Sequence, residues 1–442
     1  MDIKVLKFGG SSLADANQFR KVAEIIKSSK ENRYVVASAP GKRSSDDIKV
    51  TDMLIECYEK ACKKQDVDEI FSKIEERYNG IIADLGLDFS LEEEFKMIRM
   101  ALRLHTGKDY VVSRGEYLNS MILAKYLGYT FVDAEDGVFF KENGTFDDIR
   151  SYEALKNLLA KVKYAVVPGF YGSMPNGTIR TFSRGGSDIS GAIVARAVGA
   201  SVYENWTDVS GMLMADPRIV KDPEVIEEIT YRELRELAYT GASVMHEEAV
   251  FPVEEVNIPI NIRNTNAPED PGTIIVPESR TKEESQPHII TGVAGRKGFS
   301  AINVGKKRMN AEVGFCRKVL SVLERMNISF EHMPSGIDYI SVMVHTADIE
   351  SRREELIARI RRDTGADLVT IDDGIAIIAT VGRGLIRAKG TLGRVCTAIG
   401  KKNINIRMID LCAGEDNIIV GVDEENFDMA TRAIYNEFVR ED

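Results

Sequence analysis

Residue types and motifs that announce a particular chemistry are scarce in this 442-residue chain. The five cysteines (Cys57, Cys62, Cys316, Cys396 and Cys412) are scattered, and only Cys57 and Cys62 are near neighbours. With no second pair to complete a zinc site, reduced thiols are expected. The five histidines show no H-E-x-x-H or other metal spacing, and no serine-hydrolase or thiol-nucleophile pattern stands out. No apolar run approaches membrane-spanning length, and the N-terminus enters a strand pattern with no signal peptide, so a cytoplasmic protein is expected. Positive charge is also short. The 58 Lys and Arg against 69 Asp and Glu leave a formal charge of −11, which argues against general nucleic-acid binding. Any site for an anionic substrate must therefore gather its own cations and N–H donors. Two phosphate motifs are missing as well: there is no G-x-x-x-x-G-K-S/T and no G-x-G-x-x-G. A P-loop enzyme and a dinucleotide fold are both excluded on that ground.

What is present is ordinary globular composition, 44% hydrophobic and 29% charged, in a chain long enough for two or three domains. Over the first 290 or so residues strand and helix patterns alternate. Strands are expected at 3–8, 34–39, 165–170, 201–205 and 258–263, and helices at 16–29, within 50–105, and at 116–127. Thr230 and Glu233 have the capping-box spacing ahead of a further helix. The alternation predicts a three-layer α/β domain with a mainly parallel sheet, whose ligands bind at the C-terminal strand edge, where Lys7, Ser38 and Gly169 fall. From 268 to 287 the composition turns to Pro, Glu, Lys and Ser around a short strand at 273–276, which reads as a boundary. Beyond it the chain repeats at an offset of about 76 residues: Gly314 matches Gly390, Val319 matches Val395, and Asn327-Ile328 matches Asn403-Ile404. Two ferredoxin-like βαββαβ modules are expected, with a ligand-sensing role. The resulting division is 1–290, 296–372 and 373–442, with the last strands open to exchange between the modules.

Two glycine-pair turns carry the chemistry. Lys7-Phe8-Gly9-Gly10-Ser11-Ser12 ends a strand, and Ser183-Arg184-Gly185-Gly186-Ser187-Asp188 opens a helix. Glycine admits an anion close to backbone N–H groups, and a helix start adds unpaired donors and a positive dipole end. Lys7 is placed for a phosphate, although an ordinary tight turn with a surface lysine fits that loop equally well. Arg184 suits a carboxylate or phosphate. Asp188 can orient lysines or hold Mg²⁺ through water, or only complement the helix dipole. Ser113-Arg114-Gly115-Glu116 reads as a third polar-glycine turn leading into a helix, with Glu116 a candidate for a substrate ammonium. Trp206-Thr207-Asp208-Val209 and Asp216-Pro217-Arg218 follow a strand end where a nucleotide could lie. Trp206 fits base stacking and core packing alike.

Taken together and in this order, these segments resemble the signatures of the aspartokinases. The resemblance covers essentially the whole chain and implies an amino acid kinase fold followed by two ACT domains. Val36-Ala37-Ser38-Ala39-Pro40-Gly41-Lys42 and the segment from Glu331 to Asp338 are similar to a monofunctional, lysine-sensitive class. By that resemblance, ATP with Mg²⁺ phosphorylates L-aspartate. Lys7, Gly9, Gly10 and Ser11 hold the transferring phosphates and Asp188 organises the site. Glu116 takes the α-ammonium and Arg184 the α-carboxylate, with Ser38, Thr51, Gly186 and Ser187 near the substrate. Thr207, Asp208, Asp216, Pro217 and Arg218 match the nucleotide loop. Met309, Gly314, Phe315, Ser329, Phe330 and Glu331 match an effector pocket for an amino acid, lysine first, in a homodimer or dimer of dimers joined through ACT modules. Two positions depart from the family pattern: Ser243 stands where a lysine is common, and Leu213 where a tyrosine is common. The rival expectations are a sibling amino acid kinase and a catalytically silent amino-acid sensor.

Overall fold

The apolar runs of the first half become strands buried on both faces, as parallel strands covered by helices must be. In a computed structural model, which describes residues 2–183, 185–242, 245, 247–280, 288–411 and 416–440, the sheet strands are β1 (Lys4–Phe8), β2 (Asn32–Ala37), β3 (Thr130–Phe131) and β4 (Ala165–Pro168). A small hairpin, β5 (Tyr171–Ser173) and β6 (Ile179–Thr181), stands apart. Then come β7 (Val202–Thr207), β8 (Glu228–Thr230), β9 (Ile260–Asn264) and β10 (Thr273–Val276). The eight-stranded order is β3-β4-β2-β1-β7-β9-β10-β8. The strands from β3 to β9 in that order run parallel, and β10 turns antiparallel to β9. The chain builds outward from β1 on one side and later resumes beside it on the other. The β1–β7 seam is therefore the topological switch point, where such sheets open a crevice.

Helices α1 (Ala16–Lys27), α2 (Val50–Cys62), α3 (Asp68–Asp84), α4 (Glu92–Leu104) and α5 (Lys108–Leu127) bury their apolar residues with Leu6, Phe8, Val35 and Ala37 in one continuous core. After α6 (Asp148–Leu159), α7 (Gly186–Val198) packs against β1, β2 and β7. Strand alternation puts Val5 and Lys7 on the face opposite Leu6 and Phe8, and Lys7 meets α7 there. The helix expected from residue 116 begins at Lys108, so Ser113-Arg114-Gly115-Glu116 lies inside α5 and is not a turn. Buried residues run all the way round this helix, from Val111 to Ser120, so no apolar stripe marked it in the sequence. Gly115 is there for close packing: a Cβ on it would lie 2.9 Å from that of Ala39 and 3.4 Å from Leu54 Cδ1.

The chain divides into two compact units that interleave in sequence. The sheet described above belongs to the first, which comprises Met1–Met212, Val225–Tyr231 and Val244–Lys282. The second takes Leu213–Glu224, Arg232–Ser243 and Glu283–Asp442. These compact units divide the chain differently from the boundary expected near residue 290, since 213–224 and 232–243 group with the C-terminal part. Helix α8 (Tyr231–Tyr239) lies mostly in the second unit, and α9 (Phe251–Glu254) in the first.

The second unit contains β11 (Gly292–Gly305), α10 (Phe315–Arg325), β12 (Tyr339–His345), α11 (Thr346–Ile349), α12 (Arg353–Thr364) and β13 (Leu368–Val381). It continues through α13 (Thr391–Gly400), β14 (Ile406–Asp410), β15 (Asn417–Asp423) and α14 (Phe427–Val439). One antiparallel sheet, β12-β11-β13-β15-β14, serves both repeats. The second half of β11 pairs with β12 and with residues 368–372, while its first half pairs with 377–381 of β13. Two 14-residue strands therefore run through both repeats. The repeat is visible in the backbone: Gly314 and Gly390 cap α10 and α13 at φ 81° and 80°, and Asn327 and Asn403 turn at 54° and 57°. These are left-handed conformations that Gly and Asn tolerate. In the first repeat the segment after Asn327 is bridged to β12 only at His332 and Ser335. Pro334, which has no N–H, interrupts it.

Candidate active site

Six parallel strands bring their C-terminal ends to one edge, and the two adjoining the switch point carry a buried polar group. Lys7 on β1 and Asn205 on β7 stand at the same register, and both are more than nine-tenths buried. The Lys7 ammonium is ion-paired with Asp188 in the first turn of α7 and donates to Asn205 Oδ1 at 3.3 Å. Asn205 Nδ2 in turn donates to Asp188 Oδ1 at 3.1 Å. The backbone of Asp188 is fixed too, since its carbonyl accepts from the Tyr203 hydroxyl at 3.0 Å. A buried ammonium is expensive unless paired and hydrogen-bonded, and here it is both.

The loop after β1 supplies donors. The Gly9 N–H is taken by the Trp206 carbonyl, and the Ser12 and Leu13 N–H groups turn back to Gly9 and Gly10. Among the described residues none accepts from the Gly10 or Ser11 N–H. The loop after β2 is fastened to this one: the Ser38 N–H donates to the Phe8 carbonyl, and the Gly41 N–H to Gly10 at 2.8 Å. Arg77, buried on α3, locks the same loop by donating to the Gly41 carbonyl at 3.1 Å and to Asp47 at 2.6 Å. A hydrogen bond from Arg43, with the charge of Arg77 beside it, holds the Asp47 carboxyl well below the usual carboxylate range.

On α5, Glu116, Asn119 and Ser120 share one face at helical spacing and are all buried. Asn119 Nδ2 donates to the Ser38 carbonyl at 2.6 Å, but Asn119 Oδ1, Ser120 Oγ and Glu116 Oε2 have no partner among the described residues. Burial pushes the Glu116 carboxyl up to about 8, against the opposing pull of the Ala39 and Glu116 N–H groups. An acid so placed, with an unmet acceptor, is prepared for a cation. Thr51 sits in the first turn of α2, with its methyl 3.7 Å from where a Cβ on Gly115 would lie.

The amino acid kinase family profile matches residues 2–264, and an ACT-domain profile matches residues 378–438. Aspartokinase 3 of Bacillus subtilis is 37% identical over 99% of this chain and 98% of its own length. The chain belongs to the aspartokinases. The crystal structure of Clostridium acetobutylicum aspartate kinase, described as an allosteric enzyme, superposes with a TM-score of 0.90 at 46% identity, covering 99% of this chain and all of that one. Aspartokinase III of Escherichia coli, solved with aspartate and ADP, superposes at 0.78 with 25% identity over the full length of both chains.

Of the aspartokinase signature residues, Lys7, Gly9, Gly10, Ser11, Ser38, Thr51, Glu116, Gly186, Ser187 and Asp188 all lie in the first unit. Thr207 ends β7 there and Asp208 follows it, with the Thr207 hydroxyl donating to Asp208 Oδ1 at 3.2 Å. Trp206 is core: it is buried, with Phe8 stacked at 6.0 Å and the Arg263 guanidinium 4.6 Å from its ring centroid, so it offers no open face to a base. Asp216, Pro217 and Arg218 belong to the second unit, where Arg218 clasps Asp216 through two nitrogens and keeps its carboxyl lowered. Leu213 is half-buried. Arg184 and Ser243 lie outside the described residues. Among the effector-pocket positions, Met309 and Phe315 belong to the apolar core of the first repeat. Gly314 caps α10, and Ser329 and Phe330 are exposed. The Glu331 carboxylate, nearly buried, meets His345 at 3.3 Å. Sequence reading missed Asn205, Asn119 and Arg77. For Asn119 the signal was available, since it follows Glu116 by three positions. Asn205 and Arg77 emerge only from strand pairing and loop packing.

Proposed function

We propose that this aspartokinase transfers the γ-phosphoryl group of Mg-ATP to the β-carboxylate of L-aspartate, forming 4-phospho-L-aspartate and ADP. This is the first committed step towards lysine, threonine and methionine. The observation that carries the reading is the pairing, in one unit, of a buried and oriented cation at the switch point with a buried, partner-seeking carboxylate on α5. The first suits a phosphate and the second an ammonium.

The β-carboxylate, with an ordinary pKa of about 4, is already ionised at neutral pH, so no general base is needed. One of its oxygens forms the new bond to phosphorus as the bond from phosphorus to the ADP oxygen breaks, and the electron pair leaves with ADP. The barrier comes from bringing one anion against another. Lys7 and the Gly10 and Ser11 N–H groups would offset that repulsion by preorganised charge. Glu116 receives the α-ammonium and Arg184 the α-carboxylate, with Ser38, Thr51, Gly186 and Ser187 lining the substrate. Thr207 and Asp208 hold the nucleotide in the first unit, and Asp216, Pro217 and Arg218 match the family's nucleotide loop. Among the described residues no group of three or more His, Cys, Asp or Glu forms a metal cage. The donor set fits an Mg²⁺ that enters on the ATP phosphates with Asp188 as a single carboxylate nearby, the usual manner for this ion. There it would neutralise charge on the phosphates.

The ACT modules are proposed to bind L-lysine, with Glu331 accepting its side-chain ammonium beside Phe330 and Ser329, and to pair edge to edge in a dimer. The exposed apolar residues Ile409 and Leu411 at and just beyond the β14 edge support that pairing. A cytoplasmic location agrees with the finding that no described helix is long and apolar enough to cross a membrane. ADP release at fixed Mg-ATP over a panel of aspartate, glutamate, N-acetylglutamate, carbamate and UMP tests the acceptor. Turnover with aspartate alone is expected, and turnover with another acceptor in its place overturns the reading. Glu331→Ala should weaken inhibition by lysine while leaving turnover intact. Unchanged inhibition rules that role out.

A further inference from the structure

The neutrality of Asn205 is the feature of the switch point that the family signatures do not account for. Lys7 has three N–H donors. One is directed to Asp188 and one to Asn205 Oδ1 at 3.3 Å, which leaves one, without a partner among the described residues, for a phosphate oxygen. Asn205 also returns an N–H to Asp188 Oδ1 at 3.1 Å, so the three side chains close a ring. The two contacts fix the amide's orientation, since a flipped amide would set donor against ammonium and acceptor against carboxylate. Among the described residues the groups facing Asn205 are Lys7 from β1, Asp188 from α7 and Tyr203 two residues back on its own strand. Its register partner on β9 is the apolar Ile262, while Glu204 and Trp206 alternate to the other face of the sheet. The ring therefore contains one positive charge, one negative charge and one dipole.

We propose that Asn205 is a positioning residue for phosphoryl transfer. It holds the Lys7 ammonium and the Asp188 carboxylate in one geometry without neutralising the charge that Lys7 presents to the nucleotide. A carboxylate at this position would put two anions on one ammonium, and an apolar side chain would strip a partner from each. The inference rests on the phosphoryl-transfer reading above.

The test compares wild type, Asn205→Asp and Asn205→Leu in two measurements between about pH 6 and pH 8.5: steady-state ADP release with aspartate, and Mg-ADP binding by calorimetry. In Asn205→Asp at the upper pH, kcat should fall by about a hundredfold, the scale of one lost electrostatic contact. Its KM for aspartate should stay within about threefold of wild type, because Glu116 is untouched. The loss should shrink as pH falls, since two carboxylates sharing a proton restore a donor to Asp188 and an acceptor to Lys7. Asn205→Leu should be low at every pH. Mg-ADP affinity should follow the same pattern, weakened about tenfold in Asn205→Asp at high pH and less at low pH. Wild-type kcat in Asn205→Asp, or a loss with the pH profile of wild type, overturns the proposal. A wild-type chain that binds Mg-ADP but turns over no aspartate overturns the acceptor assignment, and the ADP affinities still decide Asn205. A wild-type chain that binds no Mg-ADP overturns both.

Discussion

The role proposed for Glu116 makes aspartate binding pH-sensitive in a definite direction. Its carboxyl, pushed up to about 8 by burial, is largely protonated in the free protein at neutral pH. In the proposed role Glu116 receives the α-ammonium of aspartate, which needs the ionised form, so binding should expel a proton. KM for aspartate should therefore fall about tenfold per pH unit on the way up towards pH 8, and then level off. The stability consequence has the opposite sense. Between the ordinary value of 4.5 and about 8 the folded chain keeps a proton that the unfolded chain has lost, so stability declines as pH rises through that window. Glu116→Gln should raise the melting temperature at pH 8 while abolishing useful aspartate affinity. A KM that does not vary with pH, or a variant no more stable than wild type at pH 8, would contradict this assignment of burial and charge.

At the scale of elements, the tight packing of α5 sets where Glu116 points. A side chain at Gly115 has no room beside Ala39 and Leu54. Gly115→Val should destabilise the fold by about 1–3 kcal/mol through overpacking, and should raise KM for aspartate more than it lowers kcat. Thermal denaturation and steady-state kinetics on the same preparation check both. This helix also marks what the sequence could and could not reveal. The strands at β1, β2 and β4 were legible because parallel strands read as largely apolar runs, and β7 and β9 because they recur between helical patterns, although Glu204, Asn205, Asn261 and Arg263 interrupt them. The two ACT repeats were legible because Gly314 and Gly390, with Asn327 and Asn403, occupy conformations that few other residues tolerate. Ser113-Arg114-Gly115-Glu116 was misread as a turn because a helix buried all round has no polar face, and its Ser and Gly look like punctuation. The charged members of the site stood out in the sequence. Asn205 did not, because an amide in an apolar strand acquires meaning only from the Lys7 register across the β1–β7 seam.

At the scale of the whole molecule, the second unit is not simply the C-terminal third of the chain. Within it, the buried Glu233 accepts from the Thr291 hydroxyl at 2.6 Å and from the Arg383 N–H at 2.9 Å. The Tyr435 hydroxyl accepts from the Glu224 N–H at 3.0 Å, and Val293 donates to the Met214 carbonyl at 2.7 Å. A fragment starting at residue 288 lacks every one of these partners from 213–224 and 232–243. It should melt well below the corresponding transition of the full chain, and should bind more of a hydrophobic dye. Equal melting temperatures would mean that the two earlier segments contribute little to the unit. The central claim, that Lys7 drives acyl-phosphate formation on aspartate, is tested most directly by trapping the product with hydroxylamine in the presence of Mg-ATP. The wild-type chain should yield β-aspartyl hydroxamate. Lys7→Ala should yield about a hundredfold to a thousandfold less per unit time, with KM for aspartate nearly unchanged. Hydroxamate formation by Lys7→Ala at the wild-type rate, or none from the wild type, would contradict it.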